Sequence, residues 1–141
     1  MEEQVLTFLK NQSPALCVVS TVSSDGKPES AVVGYSVQDD LSIIINTSPT
    51  SRKVENVRSN SLVSFVTGWS FDSLNIQSDG TAMLIEQSHP DFKKTDDAYF
   101  APQEETRKFH PQNAVYIVIK PTWIRIIDHS QQPWKVEEKS L

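Results

Sequence analysis

The chain is organised around residues 46–57, which read Asn46-Thr47-Ser48-Pro49-Thr50-Ser51-Arg52-Lys53-Val54-Glu55-Asn56-Val57. The preceding residues, 41–45, are apolar, rich in β-branched side chains and bounded by turn formers, which predicts a buried strand. Four hydroxyl side chains then lead into a predicted short helix whose first turn carries Arg52 and Lys53. The first N–H groups of a helix lack internal partners and lie at its positive end, so this order suits a phosphate group. An ordinary capped helix with a solvated basic pair is the alternative interpretation.

The sequence on either side of this stretch predicts short strands joined by turns. The spacing of apolar residues predicts a first helix over residues 2–10, and Asp25-Gly26 marks a tight hairpin turn. Gly34 interrupts the second strand, where a glycine often marks the close approach of a ligand or another backbone. Asp79-Gly80 predicts a bulge within a long strand. Strands are predicted over residues 15–21, 29–37, 62–67, 74–86, 114–120 and 123–127, with Pro121-Thr122 separating the last two.

This pattern predicts a mainly β, single-domain protein. We predict six or seven antiparallel strands, with helices only at the start, at one crossover and over about residues 90–99. This arrangement is typical of a closed or partly closed β-barrel. A further helical turn is predicted around residues 104–108. A doubly wound parallel sheet would need a helix after each strand and does not fit. The core spans about residues 3–128, and the charged tail, residues 131–141, is predicted to be loosely held.

Composition excludes several classes of function. A net charge of −5 and a pI near 5.1 argue against nucleic acid as the main partner, although a local basic site for one small anion remains possible. The acidic N-terminus and the lack of a long apolar segment predict a cytoplasmic protein that does not bind a membrane. Cys17, in an apolar run, is predicted to be a buried structural thiol. The dispersed histidines indicate neither a metal site nor a hydrolytic triad.

The order of the motifs resembles the FMN-binding split-barrel family related to pyridoxamine 5'-phosphate oxidase. The resemblance covers about residues 3–128, and each motif is weak alone, whereas their order and spacing are fairly specific. The motifs are Asp25-Gly26-Lys27-Pro28, Val33-Gly34-Tyr35, Asn46-Thr47, Ser51-Arg52-Lys53-x-x-Asn56-Val57, Asn60-Ser61-x-Val63, Gly68-Trp69 and Asp79-Gly80-Thr81-Ala82.

The resemblance implies a homodimer that binds FMN between its two subunits. The phosphate would be held just after the third strand, by Thr47, Ser51, Arg52 and Lys53. The isoalloxazine ring would lie along the second strand, at Val33, Gly34, Tyr35 and Ser36. The resemblance further implies that the Asn75 amide reaches the flavin, and that Trp69 and the partner subunit's Trp123 form aromatic walls.

Two departures from the family pattern limit what is expected of this chain. Pyridoxamine 5'-phosphate oxidase itself, the vitamin oxidase of the family, carries an Arg and a Lys at positions that correspond to Ala31 and Ser36 here. Its Arg-Leu-x-Pro ending is also absent from this chain. We therefore expect that the chain does not oxidise pyridoxine phosphate.

Two classes of function remain open. The first is a flavin-dependent oxidoreductase acting on a small-molecule acceptor, with the chemistry supplied by the cofactor and no catalytic side chain required. The second is a carrier, scavenger or sensor that binds a flavin or another small ligand without turnover. A deazaflavin in place of FMN is a further alternative.

Overall fold

Eight strands and four helical segments make up the computed structural model, which describes all residues, 1–141. In chain order the elements are α1 (Glu2–Lys10), β1 (Leu16–Val22), β2 (Pro28–Gly34), β3 (Ser36–Val37), β4 (Ile43–Thr47), α2 (Arg52–Ser59), β5 (Leu62–Thr67), β6 (Leu74–Ile85), α3 (Phe92–Phe100), a 3-10 helix (Glu104–Phe109), β7 (Val115–Asp128) and β8 (Lys135–Ser140). All strand pairs are antiparallel, and the sheet order is β2-β1-β5-β6-β7-β4-β3, with β8 on β7. The predicted antiparallel barrel is confirmed.

The barrel has a gap, because its two terminal strands do not pair with each other. β2 pairs only with β1, and β3 pairs only with β4. Residues 45–47 of β4 have no strand partner on the side away from β7, although β2 and β4 are in contact. The predicted strand over residues 29–37 therefore divides at Tyr35. The Tyr35 N–H donates to the Ala15 carbonyl, and its hydroxyl donates to the Leu9 carbonyl.

β7 is the longest strand and continues through the predicted break at Pro121-Thr122. Asp79 faces Trp123 and Gly80 faces Pro121, so Thr122 is the extra residue of a bulge. The irregularity predicted at Asp79-Gly80 is thus confirmed, with the additional residue on the partner strand. A Cβ on Gly80 would lie 2.7 Å from the Lys120 carbonyl oxygen, so packing at the bulge requires glycine.

The end of the chain forms β8, so the prediction of a loose tail was wrong. β8 pairs antiparallel with residues 123–128 of β7. Its charged side chains find partners, since Arg125 Nε donates to Glu138 Oε2 at 2.9 Å and Lys139 pairs with Glu2 of α1. An alternating charged segment can form a strand when a neighbouring edge satisfies its backbone groups.

Two hydrophobic clusters hold the helices against the barrel. The main core fills the barrel and receives Val5 and Leu9 from α1 and Val54 and Val57 from α2. A smaller core beneath α3 contains Ile44, Ile85, Tyr99, Phe100 and Tyr116. Cys17 is buried in the main core, as predicted, and burial raises the pKa of its thiol to about 12. None of the helices has both the length and the apolar character that a membrane span requires.

Candidate functional site

The N-terminus of α2 offers hydrogen-bond donors that the chain itself leaves unused. Ser51 takes the N-cap position in an extended conformation, yet its side chain makes no capping bond. The backbone N–H groups of Arg52, Lys53 and Val54 find no acceptor within the chain. Unused N–H groups at the positive end of a helix favour an anionic ligand.

Lys53 is a half-buried cation without a partner. Its ammonium forms no ion pair and no hydrogen bond with any residue of the chain, and burial lowers its pKa. Removing a charge from water is unfavourable unless the charge is paired. An anion bound beside Lys53 would therefore stabilise the charged form of its side chain.

Hydroxyl groups lie next to these donors. Thr47 is almost fully buried at the end of β4, and its Oγ1 donates to Ser51 Oγ at 3.2 Å. Because Ser51 accepts this bond, its own hydroxyl hydrogen remains available to a ligand. Ser48 and Thr50 bond to each other at the exposed turn, with 3.1 Å between their side-chain oxygens.

Arg52 is already engaged by Glu29, a residue that the sequence did not single out. Arg52 Nη1 donates to Glu29 Oε2 at 3.0 Å, while Glu29 Oε1 accepts from Asn56 Nδ2 at 2.8 Å. The same Asn56 nitrogen donates to Thr21 Oγ1 at 2.9 Å, and both Asn56 and Thr21 are buried. A polar residue on the apolar side of a helix, such as Asn56, was the available sequence signal for this network.

A small cavity of about 100 Å³ lies beside Arg52 and Lys53. It is bounded by β1, β2 and α2, through Val19, Thr21, Glu29, Ser30, Ala31, Arg52 and Lys53. Ala31, one of the two positions that depart from the family pattern, therefore lines the cavity beside Lys53. The structure brings together the predicted phosphate ligands Thr47, Ser51, Arg52 and Lys53, whose role as ligands stays a prediction.

Two larger clefts elsewhere are less suited to an anion. One of about 780 Å³ is lined by the acidic residues Glu2, Glu3, Asp39 and Asp40. Another, of about 730 Å³, contains Arg107, but Asp96 and Glu104 each accept a bond from its guanidinium at 2.6 Å. The guanidinium of Arg107 is thus already neutralised.

The predicted ring-binding stretch lies at the free edge of β2. The side chains of Tyr35 and Ser36 are buried, and Ser36 Oγ donates to the Tyr99 carbonyl at 2.6 Å. Only the backbone around Val33 and Gly34 remains at the unpaired edge. A Cβ on Gly34 would lie 3.5 Å from the Tyr99 hydroxyl oxygen, an ordinary contact, so packing within the chain does not require glycine there.

The aromatic and amide positions predicted for the flavin do not reach this cavity within one chain. Trp69 is exposed on the β5–β6 connection, and Asn75 Nδ2 donates to the Gly68 carbonyl at 3.0 Å, which holds that connection in place. The connection abuts Leu16 through Thr67, whereas Glu29 faces Thr21, roughly 17 Å further along β1. Trp123 lies on β7, with its ring against Arg125. Their roles stay predictions.

The outer face of the sheet carries exposed apolar side chains. Val18 of β1 pairs with Val32 of β2 on one side and Val66 of β5 on the other. Val32 is 64% exposed, and Leu62, also on β5, is 63% exposed. We call Val18, Val32, Leu62 and Val66 the outer patch. Exposed apolar patches often mark association surfaces.

Comparison with known proteins gives a family and a set of related folds. The sequence profile of the pyridoxamine 5'-phosphate oxidase family matches residues 1–128. No curated protein sequence matches the chain.

Solved structures share the architecture over nearly the whole chain. General Stress Protein 26 from Bacillus anthracis str. Sterne is 25% identical, with 99% of this chain and 98% of that chain covered and a TM-score of 0.75. A putative pyridoxamine 5'-phosphate oxidase from Listeria innocua is 22% identical, with coverage of 89% and 96% and a TM-score of 0.69. A pyridoxamine 5'-phosphate oxidase-related, FMN-binding protein from Nostoc punctiforme is 10% identical, with coverage of 99% and 94% and a TM-score of 0.70. The last two likenesses concern the fold alone.

Proposed function

The chain belongs to the pyridoxamine 5'-phosphate oxidase family, and on this basis we propose that it binds FMN and acts as a flavin-dependent oxidoreductase on a small-molecule acceptor. The observation that carries the proposal is the unpaired, half-buried ammonium of Lys53 at the start of α2. A cytoplasmic location is part of the same proposal.

The residues present fit a phosphate group. Lys53 and Arg52 supply positive charge, Ser51 has a free hydroxyl hydrogen, and three backbone N–H groups lack acceptors. These are the donors that phosphate sites at helix N-termini use. Bound FMN would supply hydride or single-electron chemistry. The chain's own part is to hold the phosphate and to present the free edge of β2 to the ring.

The proposal includes a homodimer. The outer patch gives each chain an exposed apolar surface that a second copy would cover. A second copy would also supply the partner subunit's Trp123 as an aromatic wall of the flavin site, beside Trp69. Sedimentation as a monomer at micromolar concentration would remove this part of the proposal.

The proposal excludes the vitamin oxidase reaction itself. Ala31 is an apolar wall of the cavity, and Ser36 is buried with its hydroxyl bonded to the Tyr99 carbonyl. Neither side chain offers the cation that the vitamin oxidase carries at the corresponding position. Turnover of pyridoxine phosphate by FMN-loaded protein at an ordinary enzymatic rate would contradict this part.

One specific observation favours a second candidate, a non-catalytic flavin or deazaflavin carrier. Glu29 already binds Arg52, so the phosphate site holds less free positive charge than its two cations suggest. Weaker retention of the cofactor suits reversible loading more than permanent attachment.

The testing experiment is the visible absorption spectrum of the purified protein, recorded before and after loading with FMN and desalting. Retained flavin that a reduced nicotinamide bleaches supports the oxidoreductase. Retained flavin that no nicotinamide reduces supports the carrier. A protein that retains no flavin and shows no binding in titration refutes both candidates.

A further inference from the structure

We propose that Glu29 competes with the ligand's phosphate for Arg52, and that this competition limits the affinity of the site for a doubly charged phosphate monoester. The inference rests on the proposed function, because it concerns the same anion site. It assigns a specificity-determining role to a residue outside the predicted ligand set.

Glu29 is held in place independently of Arg52. It lies opposite Thr21 on the paired strands β2 and β1, and its side chain is only 17% exposed. The Asn56 amide, itself buried, donates to Glu29 and to Thr21. One Asn56 amide hydrogen is therefore used on Glu29 and the other on Thr21, and both bonds remain when Arg52 turns away.

Arg52, by contrast, is the exposed partner of the pair. Its side chain is 73% exposed, and Glu29 is the only residue to which it donates. The guanidinium can turn toward a ligand without disturbing the core. The cost falls on Glu29, because its mostly buried carboxylate would keep the Asn56 bond but lose its ion-pair partner.

The competition has a consequence for the kind of ligand. The two cations and Glu29 together give the site one net positive charge, whereas a phosphate monoester carries nearly two negative charges at pH 7. Binding such a phosphate through Arg52 both weakens an existing ion pair and adds a like charge near Glu29. A flavin without a phosphate avoids this cost entirely.

The experiment compares FMN with riboflavin, which lacks the phosphate, in the full-length protein and its Glu29→Gln variant. Glutamine retains an oxygen to accept the Asn56 bond but carries no charge. We expect the dissociation constant for FMN to fall about tenfold, because Arg52 is released from its ion pair to bind the phosphate, and that for riboflavin to change by less than about twofold. Glu55→Gln, at an exposed position of α2, is the control for the same change in net charge.

The double variant Glu29→Gln with Arg52→Met separates competition from direct repulsion. If Glu29 acts by occupying Arg52, the gain in FMN affinity disappears in the Arg52→Met background. Persistence of the full gain there would overturn the competition.

Two further outcomes would also overturn the inference, and only the first of them leaves the proposed flavin binding intact. An unchanged or reduced FMN-to-riboflavin preference in Glu29→Gln refutes it but leaves flavin binding intact. Failure of the native protein to bind either flavin refutes the proposed function along with it. Circular dichroism and thermal melting of each variant establish that the fold is retained.

Discussion

Replacing Lys53 by methionine should weaken FMN binding at the anion site without lowering the stability of the protein. In the free protein the ammonium has no partner, and burial lowers its pKa, so the substitution removes no internal interaction. We expect the free energy of unfolding to stay within about 0.5 kcal/mol of the native value or to rise. A phosphate bound at α2 would lose one charge-assisted bond, about 1.5–3 kcal/mol, which weakens FMN binding about 10- to 150-fold.

The assay is flavin fluorescence titration with FMN and riboflavin, together with thermal unfolding. Riboflavin affinity should not change, because the lost bond involves only the phosphate. Lys94→Met is the matched control, since Lys94 lies exposed on α3 and has no ion pair. The reasoning is refuted if Lys53→Met binds FMN as tightly as the native protein, or if it loses more than about 1 kcal/mol of stability.

Three other predictions follow from neighbouring features. Because burial lowers the Lys53 pKa, the preference for FMN over riboflavin should hold below that pKa and fall as the pH rises through it, earlier than for an ordinary lysine, whereas Lys53→Arg should retain it; titration of both proteins with the two flavins across alkaline pH is the test. Gly80→Ala should cost about 1–3 kcal/mol in denaturant unfolding, but Gly34→Ala should leave stability unchanged and weaken flavin binding if the ring approaches there. Val32→Glu in the outer patch should yield a folded monomer by sedimentation that loses flavin on desalting; an intact dimer would contradict this assignment.

Local sequence signals were sufficient for most elements of the fold. Asp25-Gly26, the apolar spacing before Lys10 and the β-branched run at the start of β4 report on conformations fixed within a few residues, and each element was found. The strand predicted over residues 41–45 begins instead at Ile43, because Leu41 adopts a left-handed turn conformation with φ of 69°.

The errors came from interactions between distant parts of the chain. Proline at position 121 ordinarily ends a strand, but the bulge opposite Gly80 accommodates it. The tail forms β8 because β7 offers an unpaired edge, a property that no local window of residues 131–141 contains.

The candidate site likewise contains residues that local sequence identified and a residue whose partners are distant in the chain. Arg52, Lys53 and Ser51 were identified because they share one helix start, where local geometry decides their placement. Glu29 was missed because its partners, Arg52 and Asn56, lie more than twenty residues away and meet it only when α2 packs against β1. A charged residue in an alternating strand gives no indication of which distant cation it will neutralise.

The position of β7 in the sheet dictates the order in which the protein can fold. This strand bonds to β4, β6 and β8 at once, yet it comes late in the chain, after residue 114. During synthesis, β4 and β6 therefore leave the ribosome with open edges and wait for a common partner. Closure through such distant pairings is slow, on the order of milliseconds to seconds. A nascent chain stopped before residue 115 would be a substrate for chaperones or aggregation, not a smaller barrel.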